Sequence, residues 1–349
     1  MNARSAEGSA PHSAHRPTIK DVARLAGVSP STTARALSGE GYVAAAVRER
    51  VRAAVAQLGY VRDAQASSLR KGASRSVGVL VSDLRNPFYA DLAAGIGRVA
   101  HDNGYTMVLT DDRGSQEQEM EAVRTFLSMR VAGVVITPLT QDASAFLLQQ
   151  NVPVVEADRT FSGGTCDSVL VDNRGASQRM TDHLISLGHR RIALMVDETD
   201  WTTGGERFSG YEESLTEHGI SVEPSLVVRA GWDTSAARTA AVDLLTRKDR
   251  PTAVFAANSV LAEGLWRAAA DLGFRIPVDL SIVSFDDAPW MSMVSPGLTA
   301  VAQDALALGE AAMKRILARI DHPDCSPQET VLGTHVLPRG STGAPPPSL

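Results

Sequence analysis

The segment from Thr18 to Leu37, TIKDVARLAGVSPSTTARAL, constrains the fold of this chain more than any other feature. Thr18 stands three residues before an acidic side chain, the spacing of a capping box that begins a helix. Gly27 ends that helix, Ser29 caps the next one, and Pro30 occupies its first turn, where a missing N–H is tolerated. Two short helices joined by such a turn form a helix-turn-helix, whose second helix enters the DNA major groove. An αα-hairpin in a helical bundle is the alternative.

The charge distribution favours DNA binding. Residues 1–75 hold twelve Lys and Arg against five Asp and Glu, and the remainder holds 22 against 35, so the net charge of −6 conceals a basic head and an acidic body. A basic head of this kind is typical of a DNA-binding module carried by a separate domain. The acidic body argues against non-specific coating of DNA by the whole chain.

Length and composition indicate a multidomain cytoplasmic protein. The 349 residues suffice for two or three domains with cores of their own. Two distant cysteines, Cys166 and Cys325, indicate free thiols in a reducing compartment. Residues 1–17 are predicted to be a disordered tail without the apolar segment of a signal peptide. No apolar run approaches about eighteen residues, so no membrane contact is expected.

The organisation changes at Ser76. Residues 18–62 predict a three-helix headpiece, and residues 63–75 predict a hinge helix or linker. The apolar run Val77–Val81 is typical of a strand buried on both faces of a parallel sheet. Helices and strands then alternate up to a predicted last strand, Thr330–Leu337, and this alternation favours a core of doubly wound α/β lobes.

The alternation restarts after Val169–Val171, which predicts two lobes within a core of residues 76–339. Parallel sheets bind ligands at the carboxyl ends of their strands, so the cleft between the lobes is the expected ligand site. The predicted parts are an N-lobe of residues 76–172 plus 302–325, a C-lobe of residues 173–301 plus 326–339, and a flexible tail of residues 340–349.

Several motifs in fixed order extend this interpretation: residues 18–32, Leu58–Tyr60, Asn86–Phe88, His183–Ala193 and Ser284–Ala288. On these motifs the chain resembles LacI/GalR-family transcriptional regulators over about residues 18–339. The resemblance implies a helix-turn-helix headpiece, a hinge helix and a core like periplasmic sugar-binding proteins. It also implies a homodimer that reads a roughly palindromic double-stranded operator, with DNA affinity set by a small effector in the cleft.

The second helix carries the candidate DNA-reading residues. Ser31, Thr32 and Arg35 can bond to base edges, and the resemblance makes them the base-reading candidates. Phosphate contacts, which set register, are expected from Thr18, Ser29 and Arg48. For Arg48 a solvated helix face is the alternative.

Three positions depart from the family pattern. Thr33 stands where the family has an apolar residue, Ala34 where it has Ser, and Ala44 where Ser or Thr would cap the third helix. An Ala cap lowers helix stability by about 1 kcal/mol, so a less stable headpiece and a deviating operator are expected.

Leu69 is the hinge residue of most interest. It is an apolar side chain in a polar segment, and minor-groove proteins that kink DNA insert such side chains between base steps. The resemblance places Leu69 in that role. The alternative is that Leu69 packs against the core.

Polar residues at strand ends supply the effector candidates. Asp158, Asn258 and Asp286 each follow an apolar run, and the resemblance places a ligand-gripping arginine at Arg207. A helix cap is the alternative for each strand-end residue. The aromatic candidates are Phe88, Trp232 and Trp290. Together these residues favour a ligand with hydroxyl groups, a sugar, sugar phosphate or nucleoside.

Other kinds of chemistry are disfavoured. Asp286 and Asp287 point to opposite faces if they lie on a strand, so they rarely act as a catalytic pair. His183 and His189 have no partner at metal-ligand spacing, and Gly95 lies inside a predicted helix rather than after a strand. Neither a metal nor a cofactor is expected. Because two positions near the cleft, Ser259 and Ala305, differ from the family pattern, the effector is left unnamed.

The sequence therefore predicts a ligand-responsive, sequence-specific DNA-binding regulator, a repressor of a sugar catabolic operon rather than an enzyme. A sugar-binding protein or α/β enzyme without DNA function is the alternative. A third interpretation is a DNA-binding protein whose core serves only for dimerisation. That interpretation does not explain the polar residues at the ends of the strands.

Overall fold

The computed structural model describes residues 17–39, 41–61, 74–197, 201–231 and 233–347. The chain divides into two compact units, and the boundary lies between Ser74 and Arg75. The predicted hinge, residues 63–75, lies almost entirely outside the described residues, as does the predicted tail of residues 1–17. Among the helices that the structure describes, none is both long and apolar enough to cross a membrane.

The first unit is a three-helix headpiece, as the sequence predicts. Asp21 accepts hydrogen bonds from the Thr18 N–H and hydroxyl, at 2.9 and 2.6 Å, so the capping partners meet. The helices bury a small core that includes Val22, Val51 and Ala54. The helices are α1 Ile19–Ala26, α2 Pro30–Ser38 and α3 Ala45–Leu58.

The family departures have distinct structural outcomes in the headpiece. Thr33 is fully buried, and its hydroxyl donates to the Ser29 carbonyl at 3.1 Å, so the polar group that replaces an apolar one is satisfied. Ala44 occupies the N-cap of α3 and makes no side-chain hydrogen bond there. The third helix therefore begins without the cap that Ser or Thr would supply.

The second unit consists of two α/β lobes, each built on a mainly parallel sheet. The elements of the N-lobe are β1 Ser76–Val81, α4 Pro87–Asp102, β2 Thr106–Asp111, α5 Gln116–Met129, β3 Gly133–Ile136, α6 Gln141–Gln149, β4 Val154–Ala157, β5 Asp167–Val171, α11 Ala305–Asp321 and β11 Glu329–Leu332. Its strands lie in the order β11-β5-β4-β3-β1-β2, and all their pairings are parallel.

The elements of the C-lobe are α7 Asn173–Ser186, β6 Ile192–Val196, α8 Thr202–Glu217, β7 Val227–Arg229, α9 Thr234–Leu245, β8 Ala253–Ala256, α10 Ser259–Asp271, β9 Ser281–Phe285, β10 Thr299–Gln303 and β12 Thr334–Leu337. Two short 3₁₀ segments, Pro224–Leu226 and Pro289–Ser292, accompany them. The strands lie in the order β12-β10-β9-β8-β6-β7 and are parallel, except for the antiparallel edge strand β12.

Close helix packing explains two glycines of the N-lobe. A Cβ on Gly95 would lie 2.1 Å from the Leu306 carbonyl oxygen, and one on Gly309 would lie 2.0 Å from that of Leu92. Helices α4 and α11 thus approach backbone to backbone at these positions. The helical position of Gly95 agrees with the prediction that it does not belong to a dinucleotide-binding turn.

The predicted last strand, Thr330–Leu337, is wrong as a single element. The structure divides it at Gly333 into β11, which pairs with β5 of the N-lobe, and β12, which pairs with β10 of the C-lobe. Residues 329–332 therefore belong to the N-lobe, although the predicted boundary assigned residues 326–339 to the C-lobe. Each half completes a different sheet, and the local pattern does not record which sheet a strand joins.

The predicted flexible tail is also wrong for residues 340–347. Ser341 is fully buried, accepts the Thr299 N–H at 2.8 Å and donates to the Ile282 carbonyl at 2.6 Å. The Gly343 N–H donates to the Ser281 hydroxyl at 3.1 Å. This segment thus packs against the N-terminal ends of β9 and β10, where its polar groups find partners that the sequence composition does not reveal.

Candidate functional site

Helix α2 presents small polar side chains on its accessible face. Ser29 caps the helix by accepting the Thr32 N–H at 3.1 Å, and its hydroxyl lies 2.9 Å from those of Ser31 and Thr32. Ser31 and Arg35 are exposed, and Thr32 is half-buried. The base-reading candidates therefore lie together near the start of the helix that the motif assigns to the major groove.

The remaining headpiece candidates are less accessible. Thr18 is half-buried at the start of α1, where it is bonded to Asp21. Arg48 on α3 is half-buried, and its Nε has no hydrogen-bond partner among the described residues. Leu69, the proposed minor-groove residue, lies outside the described part of the chain.

An inner cavity of about 280 Å³ lies between the two lobes, lined by residues of both sheets. It brings together effector candidates that are far apart in sequence, as expected for groups at the carboxyl ends of parallel strands. Trp232 lies outside the described residues. The candidates that line the inner cavity are Phe88, Asp158, Arg207, Asn258 and Asp286.

Asp158 and Asp286 place one buried carboxylate on each side of the cavity. Asp158 follows β4 and accepts the Tyr89 hydroxyl at 3.3 Å, whereas Asp286 follows β9 and accepts from the Gln303 side-chain amide. Burial raises the pKa of both carboxyl groups. Each is a hydrogen-bond acceptor suited to hydroxyl groups.

Arg207 is held rigidly on α8. Its Nε donates to Asn173 at 2.8 Å and its Nη1 to the Ala257 carbonyl at 2.6 Å. Its guanidinium carbon lies 3.6 Å from the ring centroid of Phe285. These contacts fix the guanidinium in one geometry, so it is pre-organised for a ligand that enters the cavity.

Asn258 combines the two interpretations that the sequence left open. Its side-chain oxygen accepts the Leu261 N–H at 2.9 Å and so caps α10, while its amide nitrogen donates to Asp197 at 3.1 Å. The same residue lines the inner cavity. A helix cap and a position in the cleft are therefore compatible.

Sequence reasoning missed several residues of the inner cavity. Arg159 and Gln303 also lie at carboxyl ends of strands, so the rule that selected Asp158 and Asp286 would have found them. Trp201, whose ring centroid lies 4.1 Å from the Arg159 guanidinium carbon, carries no such signal. The missed residues include Ser82, Tyr89, Arg159, Asp197, Trp201 and Gln303.

Arg159 belongs to a cluster of buried charged side chains in the N-lobe. Arg159, Asp112 and Glu119 are each almost fully buried, and Arg159 donates to the Ser82 hydroxyl. Asp112 Oδ2, Glu119 Oε2 and Arg159 Nη1 find no hydrogen-bond partner among the described residues. Burial raises the pKa of Asp112 and of Glu119 to about 7. Their two carboxyl groups are therefore partly protonated near neutral pH.

Asp287 and the histidines have structural surroundings. Both Asp287 oxygens pair with Arg339, at 2.6 and 2.7 Å, whereas the neighbouring Asp286 lines the cavity. His189 is buried and bonds to Thr252 at 2.8 Å, and the described residues contain no metal-binding cluster of His, Cys, Asp and Glu.

Comparison with known proteins agrees with this architecture. Residues 18–63 match the model of bacterial regulatory proteins of the lacI family, and residues 181–342 match a periplasmic binding protein-like domain. The ribose operon repressor of Haemophilus influenzae is 31% identical over 308 residues, covering 88% of this chain and 93% of that protein. The HTH-type transcriptional repressor PurR of Vibrio atlanticus is 32% identical over 310 residues, covering 88% and 93%.

A solved structure of a lac repressor has the same architecture as this chain. The lac repressor dimer bound to operator and the anti-inducer ONPF superposes with a TM-score of 0.83 at 28% identity, covering 94% of this chain and 99% of that one. The headpiece and the two-lobed core define a DNA-binding transcriptional regulator that responds to a small ligand. The chain belongs to the LacI family.

Proposed function

We propose that this protein represses a sugar catabolic operon by binding a roughly palindromic operator as a homodimer. Ser31, Thr32 and Arg35 read base edges in the major groove, while Thr18, Ser29 and Arg48 contact phosphates and set the register. The exposure of Ser31 and Arg35 beside the Ser29 cap supports this assignment. Leu69, assigned by the family resemblance, wedges into the minor groove.

The effector we propose is a small neutral sugar held in the inner cavity. Asp158 and Asp286 accept hydrogen bonds from the sugar hydroxyl groups, Arg207 and Asn258 donate hydrogen bonds to them, and Phe88 packs against the apolar face of the ring. The lining of the cavity by both lobes is the observation that carries this proposal. The similarity to a ribose operon repressor favours a pentose or a related sugar ring in the inner cavity.

Ligand response follows from the position of the cavity. A ligand that contacts both lobes binds more tightly to the conformation with one inter-lobe angle than to the conformation with another. It therefore shifts the equilibrium between these conformations by the ratio of its two affinities. We propose that this angle controls the paired hinge segments, and through them the affinity for the operator.

Catalysis is not part of the proposal. A pair of catalytic carboxylates needs both groups in the same site, yet Asp287 is engaged with Arg339 while Asp286 lines the cavity. We place the protein in the cytoplasm, where its DNA is accessible.

Footprinting on the upstream DNA of its own gene, with and without a panel of sugars and nucleosides, tests the proposal. We expect protection of a roughly palindromic site and its loss or gain with one sugar. Affinity for the DNA falls steeply with salt, because phosphate contacts release counterions. Absence of a preferred duplex at any salt concentration overturns DNA recognition. A response to a nucleoside instead of a sugar overturns the effector class alone.

A further inference from the structure

A second cavity, the outer cavity, adjoins the inner one and also encloses about 280 Å³. Its walls come from both lobes, including Pro87 of the N-lobe and Trp290 of the C-lobe. Several residues line both cavities, so the two are compartments of one cleft. The shared residues are Asp83, Arg85, Asn86, Asp233 and Val260.

Trp290, expected from the sequence to be a cleft aromatic, lines the outer cavity rather than the inner one. Its ring meets that of Trp266 edge to face, with centroids 6.2 Å apart and planes at 61°. Both rings pack against the C-lobe core, while Trp290 stays partly exposed. A fixed aromatic ring beside a cavity is suited to the C–H surface of a sugar ring.

Two carboxylates of the outer cavity keep acceptor capacity for a ligand. Asp233 caps α9 through Oδ1, which accepts the Ser235 and Ala236 N–H groups at 2.8 and 2.9 Å. Glu263 receives the Arg267 guanidinium on Oε1, at 2.6 and 3.0 Å. The second oxygen of each carboxylate takes no part in these bonds and is available to accept from a hydroxyl group.

The charges of the outer cavity disfavour an anionic ligand. Asp83 and Arg85 neutralise each other through a two-pronged contact, in which the Nη2–Oδ2 distance is 2.7 Å. Glu263 is likewise paired with Arg267, so the carboxylate of Asp233 leaves this compartment with an excess of negative charge. Phosphate or carboxylate groups would be repelled there, whereas neutral hydroxyl groups would be bound.

We propose that the outer cavity binds the second ring of a neutral disaccharide whose first ring occupies the inner cavity. This inference rests on the proposed function, in which the inner cavity holds a neutral sugar ring. Each cavity alone falls just below the roughly 300–1,000 Å³ that drug-sized ligands occupy, so each suits one ring and the joined cleft suits two.

Calorimetric titration of the full chain tests the inference. The probes are D-ribose, D-xylose, D-glucose and D-galactose, methyl glycosides of the last three, and the disaccharides xylobiose, cellobiose and lactose. We expect one disaccharide to bind at least about tenfold more tightly than the methyl glycoside of its own first ring, a ratio equivalent to ~1.4 kcal/mol.

Two variants test whether the tighter binding of the disaccharide depends on the outer cavity. Trp290→Ala and Glu263→Gln should each reduce it to about twofold or less, and leave methyl glycoside affinity unchanged. Glu263→Gln keeps the side-chain volume, so the test stands even if Trp290→Ala misfolds. Glu213→Gln, at a surface carboxylate that pairs with Arg174 and lines neither cavity, is the matched control and should retain the full ratio.

The possible results separate the two proposals. Equal affinity for disaccharide and methyl glycoside, or binding of ribose without any disaccharide, overturns the role of the outer cavity and leaves the inner-cavity proposal standing. A ratio that persists in both variants also overturns that role. Binding of none of the sugars overturns the proposed effector class, and this inference with it.

Discussion

Asp158 and Asp286 occupy equivalent positions in the two lobes, each directly after a strand and each in the left-handed backbone region, with φ of 67° and 68°. Residues other than glycine are uncommon in this region, although Asp tolerates it better than most. Matching strain at facing strand ends is typical of a functional site. The two lobes thus contribute the same kind of acceptor to one cavity.

Asp286→Asn should lower the affinity for the effector by about 1–1.5 kcal/mol, because a hydrogen bond to a charged acceptor becomes a neutral one. Titration calorimetry with the sugar found by footprinting measures the change. Asp287→Asn is the control, since Asp287 contacts Arg339 instead of lining the inner cavity. Equal losses in the two variants would contradict a direct role for Asp286.

Arg35→Ala should weaken binding to the operator by about 1–3 kcal/mol and relax the base preference at one position of each half-site. Quantitative footprinting on single-base operator variants measures both effects. Arg52→Ala removes another exposed arginine, on α3 beside Glu49, and should leave base preference unchanged. A uniform loss across all operator variants would assign Arg35 to the phosphates instead.

Ala44→Ser should stabilise the headpiece by about 0.5–2 kcal/mol, because the hydroxyl supplies the missing cap of α3. Thermal unfolding of the isolated headpiece, followed by circular dichroism at 222 nm, measures the change. Ala53→Ser, at an exposed position inside α3, is the control and should be neutral or destabilising. Equal effects of the two substitutions would contradict the capping argument.

Stability of the core should fall as pH rises from about 4 to about 7, since the pKa of Asp112 moves from 3.8 to about 7 on burial. In that range the folded state binds more protons than the unfolded state, so raising the pH favours unfolding. The pKa of Glu119 moves from 4.5 to about 7 and adds to the same trend.

Asp112→Asn removes one of these groups and should raise the melting temperature at pH 8 more than at pH 5, as measured by differential scanning calorimetry. The Gly114 N–H, which Asp112 accepts at 2.8 Å, keeps an acceptor in Asn. Asp111→Asn, at a more exposed neighbour, is the control. A less stable Asp112→Asn protein at pH 8 would mean that ionised Asp112 pairs with Arg159.

Local features were predictable from the sequence because their causes lie within a few residues. The Thr18–Asp21 contact, the Ser29 cap and the helical position of Gly95 follow from spacing and periodicity. The strand-end rule also placed Asp158 and Asp286 at the cleft, since the carboxyl ends of parallel strands share one edge of a sheet.

Contacts between distant parts of the chain were decided by the tertiary structure alone. The Gln303 amide donates a hydrogen bond to Asp286, and the Ser341 hydroxyl accepts one from the Thr299 N–H. The strands on either side of Gly333 join two different sheets. Periodicity and capping report the conformation of a segment but not its neighbour in space. The sequence by itself therefore determined the helices, most of the strands and the class of protein, whereas packing determined the division of the last predicted strand, the lobe boundaries and the full lining of the cleft.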